Sequence, residues 1–304
     1  MLGWVKPAAN AESGFNTLLF RDVFGWVLAG AQRSAMLASV LVFIQAVLLN
    51  RLVDTFRMMH DRNWIPGAMY ALAASALPDF LFVSAPLAAA TVIPLALGRM
   101  FSVYKQSQAF GAVFDSAFWL TVGSLFYPPL AWLLPVCFIG FFSLRSFHLR
   151  EQIVFFTGVS VPFILALTFY FWYDAAPAFL NGQFAQGLQI SIYTLPNGLY
   201  GSLKTALLAL LLVTVLLGFN VYYYKKLIQI QTYITLLYWF LFAGLLAMLL
   251  HSGAQFRHFI LLTPSIAIFL AYSFQSLRNA FMAEVFHFGL LAAVFFIQFF
   301  PTNS

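Results

Sequence analysis

The chain reads AMLASVLVFIQAVLLNRLVDTF from residue 35 to residue 56, an apolar run that ends among charged side chains. A helix that crosses a bilayer needs about 20 mainly apolar residues, so this run is long enough to span one. Similar runs recur along the chain, and we predict about ten spanning helices, with nine or eleven as alternatives. The predicted spans are 35–56, 64–82, 84–104, 110–127, 130–144, 152–173, 200–223, 228–250, 257–276 and 281–300.

The composition indicates that the solvent of this protein is a bilayer. Of the 304 residues, 62% are hydrophobic and only 8% are charged. An ordinary soluble domain has about 25% charged residues. We therefore predict an all-α integral membrane protein without a large soluble domain. The net charge is +6, but the basic residues stand at helix ends and form no continuous patch, so nucleic acid is not an expected partner.

Basic residues occur in every second gap between the apolar runs. Lys and Arg are retained in short cytoplasmic loops, so this alternation predicts which gaps face the cytoplasm. The basic gaps contain Arg51, Arg57 and Arg62; Arg99 and Lys105; Arg145 and Arg150; Lys225 and Lys226; and Arg278. We interpret the charges on this side, including Asp115 and Glu151, as solvated helix ends, because exposed ion pairs are common and weak.

The remaining gaps face outward under the same rule. We divide the chain into an interfacial N-terminal segment on the outer face, residues 1–34, and a multi-pass membrane domain, residues 35–304. The outer loop 174–199 is the long connection, and its aromatic and aliphatic residues favour an interfacial helix and a turn.

Residues 14–30 are strongly apolar but too short and too charged to span comfortably, which favours an interfacial helix. At helical spacing, Asp22 falls on the same face as Leu19 and Trp26. A carboxylate in that position either points at a partner or reaches water by a small rotation of the helix.

Several outer residues are unexpected under the basic-inside rule. Lys204 and Arg257 lie at outer helix ends, and His258 follows Arg257 directly. Asp79 and Tyr127 stand in two outer turns that contain proline. Together with Asp22, these residues would suit a site for an anionic lipid phosphate and a hydroxyl or amide acceptor, because Arg and Lys neutralise phosphate oxygens. Simple anchoring at the membrane interface is the alternative.

We expect no metal and no cofactor. Glu284 and His287 have the spacing of one half of a metal-binding bundle, but such a site needs a second similar pair. Cys137 is the single cysteine, which excludes a disulfide framework and a thiolate metal site.

Four short stretches carry a resemblance to a known family. They are 49–54 (LNRLVD), 77–79 (LPD), 114–119 (FDSAFW) and 124–129 (SLFYPP), with Pro66 between the first two. The chain resembles, over about residues 15–175, an uncharacterised family of bacterial polytopic membrane proteins with a domain of unknown function. The resemblance implies a multi-pass protein of the bacterial inner (cytoplasmic) membrane.

More distantly, the arrangement is similar to the GT-C superfamily of glycosyltransferases, which use sugars linked to polyprenyl phosphate. In that superfamily an acidic residue of the first outer loop is catalytic, and Asp22 in the stretch 20–24 (FRDVF) is the matching position. The resemblance implies a GT-C-like helical bundle with Asp22 as general base and Asp79 as a group that positions the acceptor. The lipid phosphate would be held by residues of the outer face: Lys204, Arg257, His258 and Tyr127.

Two further classes of function stay open. A transporter or lipid flippase would place ionisable residues near the membrane midplane. A non-catalytic membrane subunit, or scaffold of a cell-envelope complex, would use small residues such as Ala71, Ala73, Ala74 and Ala76 to pack against a membrane-protein partner. Membrane lipids are the expected partners in every case, with a polyprenyl-phosphate sugar as the substrate under the glycosyltransferase hypothesis.

Overall fold

The computed structural model describes residues 17–28, 30–60, 62–106, 108–186, 198–219, 223–249, 255–276 and 280–299. Within these ranges the chain is helical and contains no strand. Parts of the predicted N-terminal segment (1–16) and of the outer loop (187–197) lie outside the described residues. The α-helices, in chain order, are α1 Leu18–Leu28, α2 Ala31–Thr55, α3 Ile65–Ala74, α4 Ala85–Ala90, α5 Val92–Ser102, α6 Phe110–Phe126, α7 Leu133–Leu144, α8 Leu149–Trp172, α9 Ala176–Leu180, α10 Leu199–Leu217, α11 Ile228–Leu249, α12 Thr263–Ser276 and α13 Ala280–Phe299.

Short irregular turns precede or join several of these helices. Four are 3-10 turns and one is a π-helical turn. The 3-10 turns are Pro78–Phe80, Pro128–Trp132, Tyr223–Lys225 and Phe256–Leu262, and the π-helical turn is Asn181–Gln186. The predicted helix of the long outer loop therefore corresponds to α9 and the turn that follows it.

Six helical segments of the described chain are long and apolar enough to cross a membrane, which is the construction of a multi-pass membrane protein. They are Ala31–Thr55, Ala85–Ser102, Leu149–Trp172, Leu199–Leu216, Ile228–Leu249 and Phe256–Ser276. The other four predicted spans coincide with shorter apolar helices, Ile65–Ala74, Phe110–Phe126, Pro128–Leu144 and His287–Phe299. The helical class is thus confirmed, while the count of ten crossings and the GT-C-like bundle stay predictions.

The burial of side chains separates central helices from peripheral ones. In α12, the side chains from Ile266 to Tyr272 are all buried. In α8, large apolar side chains such as Leu165 and Phe171 remain exposed. Such a surface would be unfavourable in water, whereas lipid tails cover it at no hydrophobic cost.

Helix α3 is packed between α2 and α12. Its Ala73 and Ala74, and Ala76 just after it, are each about fully buried by the chain itself. These small residues therefore serve close packing inside the molecule. Close helix packing by these small residues is thus confirmed within the chain at these three positions, and only Ala71 among the four remains exposed; a membrane-protein partner stays a prediction.

A buried glutamine joins three helices at the point where α4 gives way to α5. Gln45 of α2 is fully buried, and its Nε2 donates to the Leu87 carbonyl at 2.8 Å and to Thr91 Oγ1 at 2.7 Å. The Tyr70 hydroxyl of α3 donates to Gln45 Oε1 at 2.6 Å. Because both ends of the amide have partners, the network is satisfied and holds the helices in one register.

Replacing Gln45 by Leu is expected to destabilise the protein by about 1–3 kcal/mol, because buried partners lose their hydrogen bonds. The free energy of unfolding in mixed detergent and SDS micelles measures this loss. Gln32→Leu is the matched control, since Gln32 is exposed on the same helix. Equal stability of the Gln45→Leu protein and the unsubstituted protein would contradict the proposed role of the network.

Side-chain contacts divide the connections between helices into two groups at opposite ends of the bundle. At one end, the Tyr233 hydroxyl donates to the Phe101 carbonyl and the Tyr272 hydroxyl to the Met58 carbonyl. We call this the Arg145 end. The 78–80 turn packs against the 256–262 turn at the other end, which we call the Asp79 end. Where the structure describes them, the predicted cytoplasmic gaps after α2 and α5 belong to the Arg145 end, and the predicted outer turn at Asp79 belongs to the Asp79 end.

The ion pairs of the Arg145 end differ in burial. Arg99 Nε lies 3.3 Å from Asp115 Oδ2, and these side chains are 58% and 37% exposed, as the solvated-end interpretation requires. Arg145 Nη2 lies 3.2 Å from Glu151 Oε1, but these side chains are only 8% and 3% exposed. The interpretation of Arg145 and Glu151 as solvated is therefore wrong, because the folded chain leaves both side chains almost inaccessible to solvent.

Candidate functional site

The connection between α3 and α4, which carries Asp79, is held near the start of α4 by a helix cap and by a hydrogen bond to α2. The Ser84 hydroxyl accepts a hydrogen bond from the Leu87 N–H at 3.4 Å, which caps α4. The Ser34 hydroxyl, in the first turn of α2, accepts from the Val83 N–H at 3.0 Å. The short turn Pro78–Phe80 lies just before this anchored stretch, so Asp79 has a defined position at its end of the bundle.

Asp79 forms an ion pair with Lys204, although the two residues are 125 positions apart. Lys204 Nζ lies 2.5 Å from Asp79 Oδ2, and Lys204 is only 8% exposed. The ammonium also lies 4.5 Å from the Tyr200 ring centroid and 5.2 Å from that of Phe256. A buried cation is tolerated here because a carboxylate and two aromatic faces replace its water.

Arg257 belongs to the same group of charges. It lies in the 256–262 turn, which packs against the 78–80 turn, and its guanidinium interacts electrostatically with the Asp79 carboxylate. The group therefore combines two cations and one carboxylate from three separate segments of the chain. We call Asp79, Lys204 and Arg257 the charge cluster.

Tyr127 and His258 form a second, neighbouring polar contact. The Tyr127 hydroxyl lies 2.6 Å from His258 Nδ1, and both residues are fully buried. This bond joins the start of the 128–132 turn to the 256–262 turn, which also carries Arg257. Five of the six predicted site residues are thereby brought to one end of the bundle, four of them in direct pairs: Asp79, Lys204, Arg257, Tyr127 and His258.

The sixth residue, Asp22, has a different environment. It is exposed on α1, whose buried side chains are Phe20 and Val27, and Trp26 is exposed as well. Among the described residues, the hydrogen bond of Asp22 is with Tyr170, whose hydroxyl donates to Oδ2 at 2.9 Å. Asp22 therefore reaches the surface while keeping one partner, which combines the two possibilities left open by the sequence.

Helix α1 nevertheless lies at the Asp79 end. The Thr17 hydroxyl donates to the Phe126 carbonyl at 2.9 Å, directly before Tyr127. Gln183 Nε2 donates to the neighbouring Leu125 carbonyl at 2.9 Å. The N-terminal helix and the long outer loop thus meet at the end of α6, but within the described chain Asp22 makes no hydrogen bond or ion pair with the charge cluster.

Two of the cavities formed by the described residues do not include the predicted catalytic groups. One has a volume of about 10 Å³, room for a single water molecule, and its lining includes Tyr127 and Ser265. The other, of about 480 Å³, lies at the Arg145 end. Neither of these two cavities is lined by Asp22, Asp79 or Arg257, so neither connects the predicted general base to the charge cluster.

The partners of the site residues were harder to predict than the residues themselves. Tyr200 is one helical turn before Lys204, and this i, i+4 spacing is a signal that could have identified it. Nothing in the sequence indicates Tyr170 or Phe256, because both reach their partners only through the packing of distant segments. Across the residues that the structure describes, no three His, Cys, Asp or Glu side chains come together as metal ligands.

The fold and the charge cluster define a class, an all-helical multi-pass membrane protein with a polar site at one end of its bundle. Comparison of the chain with family models, with curated proteins and with solved structures finds no match. The two family resemblances therefore stay predictions.

Proposed function

We propose that this protein binds the phosphate of a lipid-linked substrate at its Asp79 end, on the outer face of a bacterial inner membrane. In its most specific form, the proposal is a GT-C-like glycosyltransferase that uses a polyprenyl-phosphate sugar. The observation that supports it is the charge cluster, in which Lys204 is paired with Asp79 and Arg257 interacts electrostatically with the same carboxylate.

The chemistry of the charge cluster fits a phosphate at the membrane interface. A guanidinium can donate two parallel hydrogen bonds to phosphate oxygens, and a neighbouring ammonium adds a point charge. Asp79 keeps Lys204 in place when no ligand is bound. The apolar surface of the bundle next to this end would accompany the polyprenyl chain into the bilayer.

Sugar transfer would require a base for the acceptor. The acceptor hydroxyl would lose its proton to the Asp22 carboxylate and form a bond to the anomeric carbon. The bond from that carbon to the phosphate oxygen would break, and polyprenyl phosphate would leave with the electron pair. Lys204 and Arg257 would stabilise the negative charge that develops on the leaving phosphate.

Replacing Arg257 by Gln is expected to weaken the binding of polyprenyl phosphate about tenfold or more, since a hydrogen bond to a charged group contributes about 1.5–3 kcal/mol. Native mass spectrometry of the protein in nanodiscs that contain this lipid measures the binding. Arg33→Gln, an exposed arginine of α2 near the same end, is the matched control. Unchanged binding by Arg257→Gln would refute the phosphate site.

The base is tested separately. Asp22→Asn should abolish transfer of sugar from the polyprenyl carrier while lipid binding and expression are retained, because the amide cannot accept the proton. Full transfer activity in Asp22→Asn would remove Asp22 from the mechanism and leave the lipid site standing.

A non-catalytic membrane subunit is the second candidate. It is favoured by the separation of Asp22, which bonds to Tyr170, from the charge cluster. Absence of lipid binding by the unsubstituted protein would support this candidate. Transport has less support, because Lys204 and Arg257 lie at one end of the bundle, whereas transporters usually place ionisable residues near the midplane.

A further inference from the structure

The second cavity lies at the opposite end of the molecule from the charge cluster. It is an open cleft of about 480 Å³ beside the first turns of α6 and α8. This volume lies within the range of small-ligand sites and suits a lipid headgroup rather than a whole lipid. The cleft is lined by six residues: Gln108, Phe110, His148, Leu149, Arg150 and Glu151.

The charges of the cleft favour an anion. Its one acidic side chain, Glu151, is already engaged by Arg145 at 3.2 Å and by the backbone N–H of His148 at 3.4 Å, and Glu151 is 2% exposed. Arg150 and His148, in contrast, are exposed at the cleft. A guanidinium and an imidazole can both donate hydrogen bonds to phosphate oxygens, whereas the engaged carboxylate has little free charge to repel them.

An apolar track runs along α8 away from the cleft. Leu149, Ile153 and Phe156 are 75%, 66% and 58% exposed, and their spacing of three and four residues places them on one helix face. Leu149 also lines the cleft, so the track begins beside Arg150 and His148. A site that joins a cationic cleft to an exposed apolar track matches a molecule with an anionic head and a hydrocarbon chain.

We propose that this cleft binds an anionic glycerophospholipid of the leaflet at the Arg145 end. The phosphate lies against Arg150 and His148, and one acyl chain follows Leu149, Ile153 and Phe156. Basic pockets between helices on the cytoplasmic side of membrane proteins bind anionic lipid headgroups. The site is separate from the charge cluster, so it does not rest on the function proposed above.

The test compares lipid binding by the full-length protein in detergent, measured by native mass spectrometry. Phosphatidylglycerol is expected to bind more tightly than phosphatidylcholine. Arg150→Gln is expected to weaken the binding of phosphatidylglycerol about fivefold, as loss of one cation near a lipid phosphate predicts. Arg51→Gln is the matched control, an exposed arginine near the Arg145 end that does not line the cleft. It should bind phosphatidylglycerol like the unsubstituted protein.

Three outcomes would overturn the proposal. The first is equal binding of phosphatidylglycerol by Arg150→Gln and the unsubstituted protein. The second is a loss of phosphatidylglycerol binding in Arg51→Gln as large as in Arg150→Gln. The third is binding of soluble glycerol 3-phosphate as tight as that of phosphatidylglycerol. The second outcome would indicate general attraction to a basic surface. The third would indicate a site for a free phosphate ester, since it would show that the acyl chain adds nothing.

Discussion

Lys204→Met is expected to destabilise the folded protein by about 3 kcal/mol, because it leaves the Asp79 carboxylate partly buried without its ammonium partner. The side chains of Lys204 and Asp79 are 10% and 23% exposed, so little solvent is available to replace the lost contact. The value is at the lower end of the range for buried pairs because Arg257 still interacts with Asp79. The free energy of unfolding in mixed micelles is the measurement.

The partner substitution makes this prediction specific. Asp79→Asn combined with Lys204→Met should recover part of the lost stability, since the carboxylate left by Lys204→Met is removed, while Arg257 loses its interaction with Asp79. The control is Arg99→Gln, which breaks the exposed pair with Asp115 and should cost less than about 1 kcal/mol. An equal loss of unfolding free energy in Lys204→Met and in Arg99→Gln would contradict a buried, energetically important ion pair at the Asp79 end.

Gly158→Val is expected to cost about 3 kcal/mol, because the helices α6 and α8 approach too closely at this position for a side chain. A Cβ atom at Gly158 would lie 2.6 Å from the Phe114 carbonyl oxygen and 3.0 Å from the Ala117 Cβ. The first contact is with backbone, so no rotamer change relieves it and the helices must separate. Unfolding in mixed micelles again reports the change.

Gly111 offers the matched control for this substitution. It lies on α6, and a Cβ atom there would have nothing within 4 Å. Gly111→Ala should therefore be neutral or stabilising by up to about 1 kcal/mol, as expected from helix propensity. If Gly158→Val were tolerated as well as Gly111→Ala, the close packing of α6 on α8 would be wrong.

Helix positions were predictable because hydropathy acts locally. The predicted spans 35–56, 152–173 and 228–250 correspond to Ala31–Thr55, Leu149–Trp172 and Ile228–Leu249. A run of apolar residues must form a helix in lipid, since its backbone groups find no other partners there. Prediction was weaker for the second span, 64–82, which gives only the ten-residue helix Ile65–Ala74 before the chain turns at Pro78.

The alternation of basic gaps also predicted which polar residues would share an end of the bundle. Asp79, Lys204 and Arg257 were assigned to one side by this rule, and the structure brings them together. The rule could not tell that Asp22 would bond to Tyr170, or that Arg145 and Glu151 would be buried rather than solvated. Each of these outcomes depends on how the helices pack side by side. The charge of the loops carries no information about that packing.

By itself, the sequence determined the solvent of this protein, the approximate positions of its helices and the two groups of connections, because apolar length and loop charge are properties of contiguous residues. Tertiary structure alone decided the partners: Lys204 with Asp79, Tyr127 with His258, and Gln45 with Tyr70. Such pairs join residues far apart in the chain, and their energy depends on distance and burial, which exist only once the helices have packed.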